Sequence, residues 1–459
     1  MDASTTTAVV SKRPPGLKKK SSSRSGLRNL VQGCWSYRAP VVEKIEPPPS
    51  VPQFSISALP DDVLLDCLAR MPRAALQSAM MVCQKWRSIL KSAEFYEMRK
   101  QNGRVENLLF VFGGAGTGFL SAVYCKSSGS WRAGLLCSGR SIAENDWLSG
   151  YHNENHALRH AQPAVIKHRI FILGATPCRF SKSIGIECTI VYDAWTKTLM
   201  RGAPMHCPRK KFACCVIADR IFVAGGANRN DSGRDAITDS EMYIPELDMW
   251  KPIANMPRRF QQSIPGGLCV GCFFRYLHAW RYGCLGAAVN GIFYVIGGLK
   301  FSSMLGLSMQ PYAYVASMDA FDTKLNCWQK TRVLPMGGCV IACTVVGRAI
   351  YMLTSHAVEL SFWKYDTWDE SFTRVKPPPI PSPLRIDNFL KFSCVTMGSD
   401  VYIIQVGGSI DDLLRRSGRN GRGYKEGLVL IYDTRTQEWS RGPDLPYGKN
   451  GAACTVVQC

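Results

Sequence analysis

The residues of this 459-residue chain that could do chemistry are few and scattered. Cys269-Val-Gly-Cys272 has the spacing of half a zinc site, with His278 and Cys284 close behind, but no second cysteine pair faces it at zinc-site distance. His152, His156 and His160 recur every four residues, which on a helix would align three imidazoles for a metal; the Asn, Glu and Tyr around them read instead as a polar loop. No P-loop, nucleophile elbow or Gly-x-Gly-x-x-Gly turn follows a strand-like run. No catalytic residue, metal or organic cofactor is therefore expected. What remains is a set of cations in glycine- and proline-bearing segments: Arg209, Lys210, Arg258, Arg259, Arg415, Arg416 and Arg419. Guanidinium groups grip carboxylates and phosphates through paired hydrogen bonds, so this chemistry is recognition, not bond-making.

Composition narrows the classes further. The net charge is +21, and residues 1–50 hold nine Lys/Arg against three Asp/Glu, including Lys18-Lys19-Lys20. This Ser-, Pro- and Lys-rich segment lacks hydrophobic periodicity and is expected to be a disordered tail. Its run from Lys12-Arg13 to Lys20 could serve nuclear import, so the expected compartment is cytoplasmic and/or nuclear. Specific nucleic-acid binding is not expected. Nor is a membrane partner, because no run of eighteen apolar residues and no signal-peptide pattern is present. The nineteen cysteines lie largely in apolar strand-like runs, as Cys214, Cys215, Cys343 and Cys394 do, where a reduced thiol acts as a small hydrophobe.

The elements that must position these cations come in two kinds. The first is helical. Pro60 precedes Asp61 and Asp62, which place negative charge at a helix N-terminus; Leu64, Cys67, Leu68 and Met71 make one stripe; Pro72 stops the helix. A second helix is expected to carry Ala79, Val82, Cys83, Trp86, Ile89 and Leu90 on one face. About forty residues are few for a self-sufficient core, so the stripe should be buried against something else. With its Leu-Pro-Asp-Asp start, Arg-Met-Pro break and Val-Cys-Gln-Lys-Trp ending, the stretch resembles an F-box. The resemblance implies docking onto a Skp-type adaptor and through it onto a cullin. Leu59, Pro60, Leu64, Leu68, Val82 and Trp86 are the residues expected to form or support that surface. The boundaries read as tail 1–50, F-box 51–98 and linker 99–107, with the module able to act as an isolated fragment of residues 51–107.

The second kind is a repeat of roughly fifty to seventy residues over 108–459. Strands ending in small residues lead each unit: Phe110-Val-Phe-Gly-Gly114, Ile221-Phe-Val-Ala-Gly-Gly226, Ile292-Phe-Tyr-Val-Ile-Gly-Gly298 and Val401-Tyr-Ile-Ile-Gln-Val-Gly-Gly408, with worn copies at Ile170 and Ile350. Tyr192-Asp193, Phe321-Asp322, Tyr365-Asp366 and Tyr432-Asp433 end the next strand. Trp328 and Trp439 stand six residues after the Asp, with Trp131 and Trp250 in equivalent places; Leu199 and Phe372 replace the tryptophan in the worn units. The string resembles the kelch repeat. It implies a mainly β fold, a six-bladed propeller behind a small all-α F-box, with five blades as the alternative count. The strand-like Gly451–Cys459 is expected to complete the first blade and close the ring.

An F-box joined to a kelch ring implies a non-catalytic substrate-recognition subunit of a Skp–cullin–F-box ubiquitin ligase, the propeller holding an as yet unknown protein substrate. A non-ligase kelch scaffold is the alternative. Kelch propellers bind through loops on one face, which makes Arg209, Lys210, Arg258, Arg259 and the 409–427 segment with Arg415, Arg416 and Arg419 the candidate substrate contacts. The aromatic- and arginine-rich insert 258–282 reads as either a lid or an interface.

Overall fold

The computed structural model describes residues 59–459 apart from 116–117, 138–160, 175–188, 229–238, 258–280, 301–312, 330, 357–358, 383–389, 420–422, 425 and 447–452. The tail, the spaced histidines, the Cys269–Cys272 pair, Arg258 and Arg259 lie outside these residues.

Six four-stranded antiparallel units follow one another. Blade two is the pattern for all: Gln162–Ile166, Arg169–Leu173, Thr189–Asp193 and Thr198–Gly202 pair in sequence order, inside to outside. Blade three runs from Ala213–Ile217 to Met249–Ile253, and blade four from Leu285–Val289 to Cys327–Trp328 with Arg332–Val333 added. Blade five runs from Cys339–Val346 to Ser371–Val375, and blade six from Lys391–Met397 to Glu438–Arg441. Blade one takes Asn107–Ala115, Gly118–Cys125 and Ser130–Cys137 from the start of the repeat region and its inner strand, Ala453–Gln458, from the far end of the sequence. Phe110 lies opposite Thr455 and Leu108 opposite Val457, so the strand that sequence assigned to closure does close the ring. The inner strands neighbour one another in a full circle, so the inner edge of each sheet is short and faces the ring's own axis.

The repeated residues explain themselves in this frame. In the hairpin turn between the third and fourth strands, the Asp carboxylate accepts backbone N–H groups: Asp322 from Lys324 and Leu325 at 2.9 and 3.1 Å, Asp433 from Arg435 at 2.8 Å. The aromatic before the Asp, or before Ile244 in blade three, packs on the outer-strand Trp across the pair, with ring centroids 4.9 Å apart for Tyr432 and Trp439 and 5.1 Å for Tyr243 and Trp250. Each such Trp also reaches the blade before it. The indole N–H groups of Trp131, Trp250, Trp328 and Trp439 donate to the carbonyls of Pro443, Ala203, Ala254 and Lys376 at 2.8–3.0 Å. Leu199 and Phe372 cannot make this bond, so the seams entering blades two and five lack it. The diglycine matters where strand two ends: Gly226 has φ +96°, and a Cβ there would lie 2.9 Å from the Lys210 carbonyl oxygen.

The helical head departs from its expected form. α1 (Asp61–Ala69) and a short turn at Arg73–Ala75 come first, then α2 (Leu76–Met80), α3 (Gln84–Lys91) and α4 (Ala93–Gln101). The single second helix read across Ala79–Leu90 is thus two helices. Cys83 caps the second of them, its Sγ accepting the Trp86 N–H at 3.4 Å, and the extended backbone that a cap requires breaks the periodic stripe. α4 also runs past residue 98 into the stretch read as linker. The head does not stand apart from the ring. Leu64, Leu68, Leu76, Leu90, Phe95 and Tyr96 share one buried cluster with Leu108, Phe110, Ile170, Ile190, Tyr192, Trp195 and Val457. Leu64 and Leu68 of the stripe are therefore buried in a core shared with the chain's own propeller, and a fragment of residues 51–107 would expose the face that packs on the ring.

Candidate functional site

The turns that join strands one to two and three to four crowd one end of the propeller, and the head sits on those of blade two. Trp195 lies flat on His168, with ring centroids 4.3 Å apart and planes 4° apart, and Phe95 and Tyr96 of α4 close over it at 5.5 and 5.4 Å. Asp193 anchors this group: it accepts the N–H groups of Trp195 and Thr196, both at 2.9 Å, and its other oxygen lies 3.3 Å from His168 Nε2. Burial alone would raise the Asp193 pKa, but the His168 hydrogen bond and these backbone donors outweigh it and hold the carboxyl at about 2. From α4, the buried Arg99 guanidinium donates to the carbonyls of Ala69, Met71 and Arg104 at 2.7–3.0 Å, tying α1 and the entry to blade one together. The backbones of Glu106 and Cys459 exchange two hydrogen bonds of 2.6 and 2.9 Å, and Tyr96 Oη donates to Gln458 Oε1 at 3.3 Å.

This packing sorts the residues expected to meet an adaptor. Leu64 and Leu68 are interior, and Leu59 and Trp86 are half-buried against the same core. Leu64 and Leu68 thus offer a partner no surface, whereas Leu59 and Trp86 keep part of theirs in solvent. Pro60 and Val82 are exposed. Two apolar residues outside the sequence-based set join them, Val63 at 41% and Met81 at 75% exposure. The Lys85–Asp61 ion pair, 2.6 Å, links the starts of α1 and α3 near these residues. The run Met80-Met81-Val82 held the missed signal: a short helix cannot bury three successive apolar residues on one face.

The opposite end carries the long connections, and there the cations divide. Arg209 is no surface contact. It is fully buried, ion-paired with buried Glu241 and donating to the carbonyls of Gly225 and Asp239 at 3.1 and 2.8 Å. Its role is to tie the connection entering blade three to the diglycine bend. Arg281, which sequence reading left inside the insert, does the same one blade later, 3.1 Å from Asp319 and donating to the Val295 carbonyl at 3.1 Å. Lys210 is half-buried and pairs by its backbone with Ala227. The segment 409–427, read as a loop, holds α5 (Ile410–Arg416), capped by the Ser409 hydroxyl, with Ile410, Leu413 and Leu414 buried between blades five and six. Arg415, Arg416 and Arg419 are exposed beside it; Arg415 pairs with Asp412 at 3.3 Å and Arg419 donates to the Ser382 carbonyl at 3.1 Å.

At the end bearing the long connections, the starts of the inner strands surround a central cavity of about 460 Å³ lined by Cys214, Cys343, Cys394 and Cys454 among others. Burial pushes the Cys214 and Cys343 thiols up to about 12, so they stay neutral and act as small apolar side chains. Among the described residues no cluster of three or more His, Cys, Asp or Glu is arranged to hold a metal, and no helix is long and apolar enough to cross a membrane.

A helical head that shares its core with a closed six-bladed ring of diglycine, Tyr-Asp and Trp repeats defines a propeller-based recognition protein. The F-box domain model matches residues 56–98. F-box/kelch-repeat protein At5g26960 of Arabidopsis thaliana is 37% identical over 414 residues, covering 88% of this chain and 90% of that protein. F-box/kelch-repeat proteins At1g67480 and SKIP30 of the same plant are 24% and 27% identical over 60% and 49% of this chain, or 61% and 60% of their own lengths. The chain belongs to the F-box/kelch-repeat family.

Proposed function

We propose that the chain is the substrate-recognition subunit of a Skp–cullin–F-box ubiquitin ligase, with no catalytic residue of its own. The observation that carries this reading is the set of solvent-exposed apolar residues Pro60, Val63, Met81 and Val82 on a head whose other large apolar side chains are buried or half-buried against its core. Large apolar side chains left in solvent on an otherwise packed helical module call for a partner, and in an F-box that partner is a Skp-type adaptor leading to a cullin. The work is positioning: holding a substrate near a ubiquitin-loaded enzyme raises the effective concentration of its lysines. Substrate is taken at the end bearing the long connections, where Arg415, Arg416 and Arg419 favour an acidic or phosphorylated protein surface. The test is capture of a purified Skp adaptor by the full chain and by Met81→Glu/Val82→Glu. These side chains are exposed, so the variant should melt with the wild type and lose the adaptor. Equal recovery by both chains sinks the assignment and leaves the non-ligase scaffold. Arg415→Glu/Arg416→Glu/Arg419→Glu should keep the adaptor while changing the set of proximity-labelled proteins.

A further inference from the structure

Blade five carries a second copy of the platform on which the head sits, and the head leaves it bare. In blade two the platform consists of a cation-capable residue in the first hairpin turn, His168, the aspartate that ends the third strand, Asp193, and a tryptophan two residues on, Trp195. The Ala194 N–H donates to the His168 carbonyl at 3.0 Å, Asp193 takes the Trp195 N–H at 2.9 Å, and His168 faces both the carboxylate and the indole. In blade five the same three places hold Arg348, Asp366 and Trp368. The Thr367 N–H donates to the Arg348 carbonyl at 3.2 Å, and Asp366 takes the Trp368 N–H at 3.0 Å. Arg348 Nε lies 3.2 Å from Asp366, and the guanidinium carbon sits 6.0 Å from the centre of the Trp368 ring. Both turns end on a left-handed residue, Lys197 at φ +54° and Glu370 at +55°. The corresponding turns of blades three, four and six hold Glu246, Lys324 and Arg435 where the tryptophan stands.

Beyond His168 standing where Arg348 does, the two copies differ in their cover. Trp195 is 4% exposed beneath Phe95 and Tyr96, whereas Trp368 is 80% exposed, more than any other large apolar side chain described. Blades two and five lie three apart in a ring of six, so the bare copy is across the ring from the head and at the same end. We propose that the Arg348–Asp366–Trp368 turn is a docking site for a partner protein's amphipathic helix that presents two adjacent aromatic side chains, as α4 presents Phe95 and Tyr96 to blade two. Arg348 and Lys364 both approach Asp366, at 3.2 and 3.7 Å, Asp369 of the same turn lies in the field of Arg348, and Glu370 is paired with Arg332, so the charges of the turn balance. The occupant is therefore defined by its two aromatics, which α4 presents in the run Glu94-Phe95-Tyr96-Glu97. The chain's own α4 is committed to blade two, so the occupant comes from another protein. An exposed indole beneath a guanidinium is the kind of anchor on which interface affinity concentrates.

The test uses the full chain labelled with 5-fluorotryptophan, with the Trp368 fluorine resonance identified by its absence from Trp368→Phe. The probe is a helix-stapled peptide of residues 92–102, its crosslink on the face opposite Phe95 and Tyr96. The Trp368 resonance should shift and saturate below about 1 mM peptide, and Arg348→Ala or a Phe95→Ala/Tyr96→Ala peptide should weaken the response at least about tenfold. A resonance that stays still to that concentration overturns the proposal, as does an equal response to the alanine peptide. So does sedimentation as a dimer that Trp368→Ala converts to monomer, because a second copy of the chain would then be the occupant.

Discussion

Trp195→Ala and Trp368→Ala delete the same side chain from the same position of equivalent turns, so their difference isolates what the head contributes. A tryptophan can bury on the order of 200 Å², and at about 25 cal/mol per Å² that is roughly 5 kcal/mol when the burial is complete. Trp195 is 4% exposed and Trp368 80%, so nearly the whole amount applies to the first and about a fifth of it to the second. Removing Trp195 also leaves a cavity between His168, Phe95 and Tyr96, and truncations of this kind cost about 3–5 kcal/mol. The expected loss is therefore about 4 kcal/mol for Trp195→Ala and below about 1 kcal/mol for Trp368→Ala. Chemical denaturation followed by circular dichroism gives both values. Hydrogen exchange in 84–107 adds the location: Trp195→Ala should loosen α3 and α4 before the ring melts. Equal losses in the two variants, or unchanged protection of α4 in Trp195→Ala, would refute the shared core.

Three further outcomes follow from the geometry. Arg209→Met strands the buried Glu241 carboxylate and two carbonyls, so it should cost about 3–5 kcal/mol in denaturation, whereas a surface contact would leave stability unchanged and reduce only substrate capture. Deleting residues 453–459 removes the inner strand of blade one together with Val457 from the core under the head, and size-exclusion chromatography should show aggregate instead of monomer. Asp193 is held at about 2 in the folded chain against an ordinary 3.8, so its contribution, on the order of 2 kcal/mol, is complete above about pH 4 and is lost as pH falls toward 2. Asp193→Asn should be less stable at pH 7 and should show a shallower acid transition between pH 4 and 2.5 than the wild type.

Much of the ring was legible in the sequence because its marks answer local needs. The diglycine relieves a backbone approach, the Asp closes a five-residue turn, and the Trp bonds to the preceding blade; each recurs at a spacing set by one blade. What could not be read depends on partners far along the chain. Arg209 looks like a surface cation until Glu241, 32 residues later, is brought beside it. Phe95 and Tyr96 lie outside the helical stripe that marked the head, and nothing local says that Trp195, a hundred residues on, will meet them. The break before Gln84 was hidden for a different reason: a cysteine is a rare helix cap, and its thiol reads first as one more apolar residue in the stripe.

The last strand of blade one has a consequence in time. Tyr96 bonds to Gln458, 362 positions later, and the cluster around Phe95 stays incomplete until Val457 arrives. A ribosome adding about 5–20 residues per second needs roughly 20–70 s to cover that interval. Through that interval the nascent chain carries the aromatic face of α4, which blade two covers only when it has formed, and the unpaired inner edge of Asn107–Ala115, which only the arriving strand can cover. Such long-range pairing is slow and exposed. The head therefore acquires its finished form only when the ring does, and a stalled or shortened chain has no route to a folded head joined to an open propeller.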